Sequence, residues 1–588
     1  MAQSRFLALT DNNETTLNFS ELSKSNDPTR INEQLIVTVD GQLFYSVLNA
    51  LPYLVDYPYE CAEQTLNRYL STSIVSSVFD KHPAVASMAT KFAKRDTQLP
   101  KWNLDDPNRK LQLEETPWLV DAEGASTESL IKILDPKVAA QQKDSALQRL
   151  VKMQTSSGGF PWWEGGPPSP YITQYMLQGF SRSLEFGGKV PKSVVQRAWK
   201  YLHKEYGEHF ESKSYLPAIT YTNYLLSAYP DASWTGGVFS QQERDKMLAY
   251  SFKHWRELSG LLKSYLALTL HRADRKQDAQ LVFASIMDAA KQDKQLGTYW
   301  APEDRSWLWY NDTVDTHAFI LRALTELNPT DKRRAGLVQW LMLDKKLNHW
   351  KSTRATAESI YALTHYLQQE GQLGDTEKVD ITIGNQASNT LVFKPDEYTG
   401  SNNQIIVKGD DIKPEMANIK LQKEAKGLMF ASATWHFSTE ELPKDAQGDF
   451  FNVTRSFFKR VQNGQQWTLQ PLAEGAQIQV GDQLEVQLSM KAKHAAEFVH
   501  LRAPRGAGFE PESQTSGYRW QTQLGYFEEV RDSGINYFFE KLPAGEYRFK
   551  YRLRATTAGQ FRVAPAQVQS MYAPEFTAYS KGERLTIR

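Results

Sequence analysis

Tyr57-Pro58-Tyr59-Glu60-Cys61-Ala62-Glu63-Gln64-Thr65 contains the only cysteine of the 588-residue chain, and a glutamine follows that cysteine three positions later. On a helical turn, residues i and i+3 lie on one face with Cβ atoms about 5–6 Å apart, and a 3₁₀-like turn nearly eclipses them. The sulfur of Cys61 can then attack the side-chain amide of Gln64, expel ammonia and close an internal thioester. Such chemistry requires a thiolate-like sulfur and an amide at position 64. The alternative is a buried, inert cysteine that packs as a small hydrophobe.

The composition excludes several classes of function. The chain contains 68 Lys and Arg residues and 68 Asp and Glu residues, so it has no basic field for nucleic acid or an anionic membrane. A single cysteine excludes an internal disulfide framework and a cysteine-based zinc cluster. No uninterrupted apolar run is long enough to span a bilayer. We expect no nucleic-acid partner, no metal and no cofactor, and a chain of this length to divide into several domains.

The middle of the chain, residues of about 53–372, is predicted to be a succession of amphipathic helices. Similar helix beginnings recur, each after a turn-rich or aromatic loop and before Leu- and Ala-rich turns. They occur at Pro170–Met176, Ile219–Tyr224, Val314–Phe319 and Arg354–Ser359. Repeated helical hairpins of this spacing indicate a closed α/α toroid or a solenoid.

Strand patterns flank the helices on both sides. Before them, the β-branched run Leu35–Val39 precedes Asp40-Gly41 and predicts a strand and a turn. One strand cannot form a sheet, so its partners must come from elsewhere in the chain. We expect these partners after Gly374, which makes the helical region an insertion within a β-sandwich. The alternating segments there are 379–383, 389–393, 404–407 and 429–437.

A second, all-β sandwich is predicted from about residue 471. Val480-Gly481-Asp482 opens a new series of alternating segments, and Leu542-Pro543-Ala544-Gly545 forms a turn between two of them. The predicted strands are 484–488, 498–501, 536–539, 547–553 and 560–563.

Three motifs, in the same order along the chain, resemble the thioester domain of the α2-macroglobulin and complement family. Cys61-Ala62-Glu63-Gln64 resembles the C-x-E-Q thioester signature, and residues 57–65 as a whole are similar to its bacterial form. The segment from Trp309 to Thr316 (W-Y-N-D-T-V-D-T) resembles the Y-N-V-E-A-T step of that domain. Ser352-Thr353-Arg354-Ala355-Thr356 resembles its S-T-Q-A-T step, and the closing segment Met571–Glu575 (M-Y-A-P-E) is similar to bacterial members.

The resemblance implies a multidomain α + β fold. Residues 51–372 would form an α/α-toroid thioester domain, inserted between residues 1–50 and residues 373–470, the two parts of a CUB-like β-sandwich. Residues 471–588 would form a C-terminal macroglobulin-type β-sandwich, at the receptor-binding position of animal relatives.

The resemblance also implies a function in bacterial defence: a broad-spectrum trap for endopeptidases that is used once and is not a turnover enzyme. In the family, a protease cuts a bait region, and the exposed thioester then acylates a lysine amine of the attacker. Residues Met1–Phe6 lack the apolar core of a signal peptide. Taken alone, this suggests a cytosolic protein. The resemblance implies instead a C-terminal fragment of a longer protein that is periplasmic, cell-envelope or secreted, with its export signal upstream, and this is the interpretation that we favour. We expect it to be a monomer, with any inner-membrane lipid anchor on the upstream part.

Water is the practical threat to a thioester. Suppressing hydrolysis ten-thousandfold means raising its barrier by roughly 5.5 kcal/mol, and an apolar or aromatic cover that excludes water is the simplest means. Tyr57, one turn before Cys61, could cover the bond from its own domain. Met571 and Tyr572 could cover it from the C-terminal domain, because methionine adapts to irregular surfaces. The alternative is that all three are ordinary core or interface residues.

Three other functions remain open at this point. A cysteine-dependent hydrolase would use Cys61 with a histidine base, but His203 and His209 match no motif and are expected to be solvated rather than catalytic. An α/α-toroid glycosidase would need two carboxylates across a cleft, and the Trp-rich loops 158–170 and 300–312 could be mistaken for its sugar platform. A family member whose thioester has decayed would be a binding module. Without a histidine relay, we expect amines rather than hydroxyls to be the acyl acceptors.

Overall fold

Three large hydrophobic cores organise the chain: one among helices and two between β-sheets. The predicted combination of helices and β-sandwiches is confirmed. The structure is a computed structural model, and it describes the following residues: 1–10, 14–24, 27–55, 57, 60–93, 135–300, 312–345, 349–397, 403–424, 427–448, 450–464, 466–472, 476–521, 524–571 and 576–588.

The α-helices lie between residues 20 and 369, mostly in the region predicted to be helical. Within the described ranges they are α1 (Ser20–Ser23), α2 (Leu43–Leu48), α3 (Leu51–Val55), α4 (Ala62–Lys81), α5 (Pro83–Ala93), α6 (Pro136–Met153), α7 (Pro170–Glu185), α8 (Lys192–Tyr206), α9 (Leu216–Ala228), α10 (Gln241–Lys253), α11 (Gly260–Arg272), α12 (Lys276–Met287), α13 (Thr313–Leu327), α14 (Arg333–Asp344) and α15 (Thr353–Gln369).

Six of these helices contact one another in a cycle. Helix α4 packs against α7, α7 against α9, α9 against α11, α11 against α13, α13 against α15, and α15 returns to α4. Five others each pack on one helix of this ring: α6 on α4, α8 on α7, α10 on α9, α12 on α11 and α14 on α13. Inner helices are surrounded on all sides, which explains why α7 is buried at every residue from Ile172 to Ser183.

The interior of the ring is partly polar, and hydrogen bonds between helices pair many of its polar groups. Gln174 of α7 donates to the Thr222 hydroxyl of α9 (2.8 Å), and the Tyr221 hydroxyl of α9 donates to Gln178 of α7 (2.7 Å). Arg182 of α7 pairs with Glu358 of α15 (2.5 Å), both fully inside. Because a buried polar group without its partner is costly, these contacts favour this arrangement of the helices, both between the neighbours α7 and α9 and across the ring between α7 and α15.

The β-strands lie mainly at the two ends of the chain. They are β1 (Ala2–Leu9), β2 (Glu14–Asn18), β3 (Ile31–Asp40), β4 (Lys291–Asp293), β5 (Gly297–Tyr299), β6 (Glu377–Ile383), β7 (Asn389–Phe393), β8 (Gln404–Lys408), β9 (Asn418–Lys423), β10 (Met429–Ser438), β11 (Phe451–Asn463), β12 (Gln466–Pro471), β13 (Gln477–Ile478), β14 (Gln483–Ala492), β15 (Ala496–Pro504), β16 (Phe509–Pro511), β17 (Gly517–Gln521), β18 (Leu524–Arg531), β19 (Gly534–Leu542), β20 (Gly545–Ala555), β21 (Gly559–Val563), β22 (Gln567–Ser570), β23 (Thr577–Tyr579) and β24 (Glu583–Ile587).

The first sandwich combines strands from before and after the helices. One sheet has the order β1-β10-β3-β8 and the other β2-β9-β6-β7. Strand β10 pairs with β1 on one side (Ala2 opposite His436) and with β3 on the other (Val37 opposite Ala433). Both chain ends of the helical region therefore start from one sandwich.

The second sandwich begins earlier than the sequence predicts. Its main sheets have the orders β12-β11-β14-β20-β16 and β17-β18-β19-β15-β22-β23. Strand β11 pairs with β14, with Phe451 opposite Ala492. The sequence predicts that residues up to 470 belong to the first sandwich. In the structure, the boundary lies at about residue 450. Alternation along 451–463 identifies a half-buried strand but contains no information about which sheet receives it.

Gly179 controls the spacing of α4 and α7, and we predict that Gly179→Ala destabilises the protein. A Cβ at this position would lie 2.6 Å from the nearest Leu66 methyl carbon and 2.8 Å from Leu66 Cγ. We expect this overpacking to lower the free energy of unfolding by about 1–3 kcal/mol, measured by thermal unfolding followed by circular dichroism. The matched control is Gly260→Ala at the first turn of α11, where the nearest atom to an added Cβ is 3.5 Å away. That variant should be neutral or more stable by less than about 1 kcal/mol; equal losses in both variants would contradict the packing argument.

Candidate functional site

Cys61 is the N-cap of helix α4. Its backbone is extended (φ −67°, ψ 168°), and its carbonyl oxygen accepts the first helical hydrogen bond, from the Thr65 backbone N–H (3.0 Å). The backbone N–H of Cys61 donates to the Gln64 side-chain carbonyl oxygen, Oε1 (3.1 Å). Together with the Cys61 side chain facing the Gln64 backbone, this forms a reciprocal capping box in which a cysteine occupies the usual position of a serine or threonine. The sequence-predicted pair therefore folds back on itself within one turn.

Glu63 lies beside the cysteine sulfur. Its Oε2 atom is 3.9 Å from Cys61 Sγ, within hydrogen-bonding range for sulfur. The other carboxylate oxygen, Oε1, accepts hydrogen bonds from the Asn67 amide (2.5 Å) and the Thr353 hydroxyl (3.0 Å). The sequence identifies Glu63 only as part of the motif; the structure gives it a position against the sulfur.

The starts of helices α13 and α15 hold this carboxylate in place. Thr353 is the first residue of α15, and the next residue, Arg354, pairs with Asp315 of α13 (2.7 Å). Arg354 also donates to the hydroxyl of Tyr171 at the start of α7 (2.8 Å). These residues belong to the two downstream motifs, so the structure brings all three sequence motifs to the same end of the ring.

The loop 158–170 closes over the first turn of α4. The carbonyl oxygen of Trp162 accepts a hydrogen bond from the Ala62 backbone N–H (2.9 Å), one of the helix donors that has no partner within the helix. The Trp162 ring packs on Tyr171 (5.8 Å between centroids), although both Trp162 and Trp163 are about half exposed. This contact favours the capping role of the Trp-rich loop over a sugar platform. In the other Trp-rich loop, residues 301–311 lie outside the described residues.

An aromatic cluster joins Tyr53 and Tyr57, which precede the cysteine in sequence, to His349, which comes from the loop before α15. Tyr57 packs edge-on against Tyr53 (5.4 Å), and Tyr53 stacks in parallel on His349 (3.9 Å). Burial, then the neighbouring Tyr57 and Glu63, raises the pKa of Tyr53 to about 12. Sequence reasoning missed Tyr53 and His349; the available signal was that His349 precedes Ser352 of the third motif by three residues.

The two histidines named from the sequence occupy other places. His203 of α8 approaches Glu243 of α10 (2.9 Å). His209 stacks on Tyr215 (4.4 Å). The contacts described for both join outer elements of the helical region rather than the start of α4.

The residues proposed to shield the site from the C-terminal sandwich are only partly described. Met571 follows β22, donates its backbone N–H to Phe498 (2.9 Å) and has a side chain that is 40% exposed. Tyr572 lies outside the described residues. The shielding role of both residues stays a prediction.

Burial dominates the electrostatics of the reactive pair. Cys61 is 5% exposed, and this burial raises the pKa of its thiol, against hydrogen bonds from the backbone. Burial also raises the pKa of Glu63, opposed by Thr353 and by the positive charge of Arg354. A neutral thiol beside a carboxylate and an amide can undergo intramolecular acyl transfer, in which sulfur replaces nitrogen on the Gln64 side-chain carbon.

Comparisons with known proteins found similar bacterial proteins. A profile of the bacterial alpha-2-macroglobulin MG10 domain matches residues 451–575. An alpha-2-macroglobulin homolog from Nostoc is 22% identical over 457 residues, covering 74% of this chain and 23% of the relative. One from Yersinia pestis is 22% identical over 575 residues, covering 90% of this chain and 24% of the relative. The chain is similar to members of the bacterial alpha-2-macroglobulin family, and its residues 451–575 match their MG10 domain.

Relatives in this family are much longer than the present chain, which spans about a quarter of the length of the two curated alpha-2-macroglobulins named above. The fold is similar to a crystal structure of trypsin-activated alpha-2-macroglobulin from Escherichia coli, with a TM-score of 0.50 and 14% identity. That alignment covers 100% of this chain and 36% of the other. The MG10 match begins at the first residue of β11, where the second sandwich begins. Among the described helices, none combines the length and apolarity needed to cross a membrane.

We predict that the Cys61 thiol, when free, reacts slowly with iodoacetamide at neutral pH. The variant to use is Gln64→Glu, which has no amide to expel and keeps Cys61 as a thiol. Because burial raises the thiol pKa above its ordinary value of 9.0, less thiolate is present at pH 7 than in an exposed cysteine. The alkylation rate, followed by intact mass, should rise with pH and reach half its maximum only above pH 9. The same variant in denaturant is the control, and equal rates in both states would contradict the buried, high-pKa site.

Proposed function

We propose that this chain contains an internal thioester between Cys61 and Gln64 and serves as the covalent-capture region of a protease trap. The observation that supports this proposal most directly is the fold-back of Gln64 onto Cys61, with the Gln64 carbonyl oxygen 3.1 Å from the Cys61 backbone nitrogen. Capture consumes the bond, because the acyl group of Gln64 is transferred and Cys61 is released as a thiol. The chain is therefore a single-use inhibitor and not an enzyme.

The domain arrangement proposed for this function is an α/α-toroid thioester domain inserted in a CUB-like sandwich. The cycle of helices from α4 to α15 supports the toroid, and the pairing of β10 with both β1 and β3 supports the insertion. The MG10 match over 451–575 supports a macroglobulin-type sandwich after it.

We propose that the partners are endopeptidases, captured through lysine amines. One similar structure is described as an alpha-2-macroglobulin activated by trypsin, which supports a protease as the trigger in the whole protein. A periplasmic, cell-envelope or secreted location follows for a trap that meets foreign proteases. A monomeric state, and a lipid anchor in an upstream part, belong to the same proposal.

The first experiment is intact mass spectrometry with thiol titration, before and after methylamine. We expect the protein to be lighter than its sequence mass by one ammonia and to have no titratable thiol. Methylamine should then add one molecule and release one thiol, because it is acylated by the Gln64 carbonyl carbon and expels sulfur. Amines should react in preference to glycerol, giving amides rather than esters.

The controls for this experiment are Cys61→Ala and Gln64→Ala, which should show full sequence mass and no methylamine addition. Full mass with a titratable Cys61 and an intact Gln64 amide in the wild type would refute the thioester. Turnover of a peptide that disappears in Cys61→Ala would instead indicate a cysteine-dependent hydrolase, and glycosidase activity that survives in Cys61→Ala would indicate a glycosidase.

We predict that Tyr57 shields the thioester from water. It precedes Cys61 by four residues and packs edge-on against Tyr53 (5.4 Å between centroids). The thioester of the Tyr57→Ala variant should hydrolyse at least about tenfold faster, which corresponds to a barrier lower by about 1.4 kcal/mol. The measurement is the gain in mass as water opens the thioester to a free Cys61 thiol and a glutamate side chain at position 64. Met571→Ala tests the second shield in the same assay, and an unchanged half-life in both variants would contradict shielding by these side chains.

A further inference from the structure

We propose that Glu63 is the proton acceptor for formation of the thioester, and that the backbone N–H of Cys61 stabilises the oxyanion formed on Gln64. The inference rests on the proposed function, and it assigns a catalytic role to a residue that the sequence identifies only as part of a motif. It concerns how the bond is made, before any protease is met.

The position of Glu63 supports the first half of this proposal. Thr353 and Asn67 both donate to Oε1 of the Glu63 carboxylate, at 3.0 and 2.5 Å. The Tyr175 hydroxyl in turn donates to the Asn67 side-chain oxygen (2.8 Å), which orients the Asn67 amide toward Glu63. Oε2 lies 3.9 Å from Cys61 Sγ and 3.3 Å from the Thr353 hydroxyl, whose shorter contact is with Oε1, and a carboxylate oxygen has two lone pairs, so one remains for the thiol proton.

The capping geometry supports the second half. A carbonyl oxygen gains negative charge when a nucleophile adds to its carbon, and a backbone N–H already directed at that oxygen stabilises the charge without reorganisation. The Cys61 N–H is such a donor, 3.1 Å from Gln64 Oε1. It is also among the first donors of a 20-residue helix, where the helix dipole favours negative charge.

The reaction balances with these groups alone. The Cys61 S–H bond breaks as its proton moves to the Glu63 carboxylate, and sulfur adds to the side-chain carbon of Gln64. The resulting oxyanion is held by the Cys61 N–H. The proton on Glu63 then passes to the amide nitrogen, the C–N bond breaks, and ammonia leaves. The products are a thioester, ammonia and the regenerated carboxylate, with no outside reactant.

The charges around Glu63 are suited to this exchange. Glu63 is held by helices α4 and α15, and the titratable or charged groups that act on it are Cys61, Arg354, Tyr53, Tyr171 and Tyr175. Burial raises the pKa of both the Glu63 carboxyl and the Cys61 thiol. A carboxylate of raised pKa is a stronger base, and a nearby base is needed because the buried thiol does not ionise unaided at neutral pH.

The test compares the wild-type chain with Glu63→Gln during cell-free synthesis, followed by intact mass at timed intervals. Glutamine keeps the volume of the side chain and an oxygen that can accept from Thr353 and Asn67, but it cannot accept a proton. We expect closure, seen as loss of one ammonia, to be slower by about 10²- to 10⁴-fold in this variant. The matched control is Glu60→Gln, because Glu60 pairs with Arg68 and Arg149 on the outside of the same turn. It should close at the wild-type rate.

The pH dependence separates a chemical role from a structural one. In the wild type, the closure rate should rise only until the Glu63 carboxyl is ionised and should then level off. In Glu63→Gln the rate should rise about tenfold per pH unit up to the thiol pKa, because hydroxide must supply the thiolate. Glu63→Asp should keep the wild-type profile at a reduced rate.

The outcomes distinguish this inference from the proposed function. A wild-type chain that never loses ammonia refutes the thioester, and this inference with it. A wild-type chain that closes, with a Glu63→Gln variant that folds to the same melting temperature and closes at the same rate, refutes only the role of Glu63. If the Glu63→Gln variant closes slowly but keeps the wild-type pH profile, the substitution acts on structure, and the proton-acceptor role of Glu63 is also refuted.

Discussion

The candidate site depends on one contact across the closure of the helix ring. Thr353, at the start of α15, donates to the carboxylate of Glu63 at the start of α4, and the two residues are 290 positions apart in sequence. The ring closes only because α15 returns to α4. The hydrogen bond lies where α15 meets α4, so the position of Glu63 beside the cysteine sulfur depends on a closed ring. Arg354 strengthens the junction by pairing with the buried Asp315, whose charge would be uncompensated without it.

The polar interior of the ring explains how so many helices find one arrangement. Apolar contacts favour burial without specifying partners, whereas Gln174, Gln178 and Arg182 on α7 each require a particular group on α9 or α15. At the far end of the ring, Arg322 and Arg272 share Glu326, which links α11 to α13. These pairs fix neighbours and register, while the apolar outer faces of the inner helices hold α8, α10, α12 and α14.

Sequence patterns predicted the local features well and the long-range features poorly. The spacing of Cys61 and Gln64 predicts their meeting, because i,i+3 contacts in a helical turn need no tertiary information. Strand alternation likewise located β14, β19 and β20. The assignment of β11 to the second sandwich was not predictable, since the alternation of apolar and polar residues along a strand does not determine which strand pairs with it. Strand β1 was missed because only pairing with β10, more than 400 residues away, makes it a strand. The cluster of Tyr53 and His349 depends on tertiary packing in the same way.

The strand connectivity of the first sandwich determines which part of the chain can fold first during synthesis. A chain emerges from the ribosome N-terminal end first, and β10, the strand that both β1 and β3 require, ends at Ser438. Helix α15 ends at Gln369. The helix ring can therefore close, and place Thr353 on Glu63, before the sandwich that holds its two ends has all of its strands. The reactive turn can thus be assembled while only three strands of the supporting sandwich, β1, β2 and β3, have been synthesised.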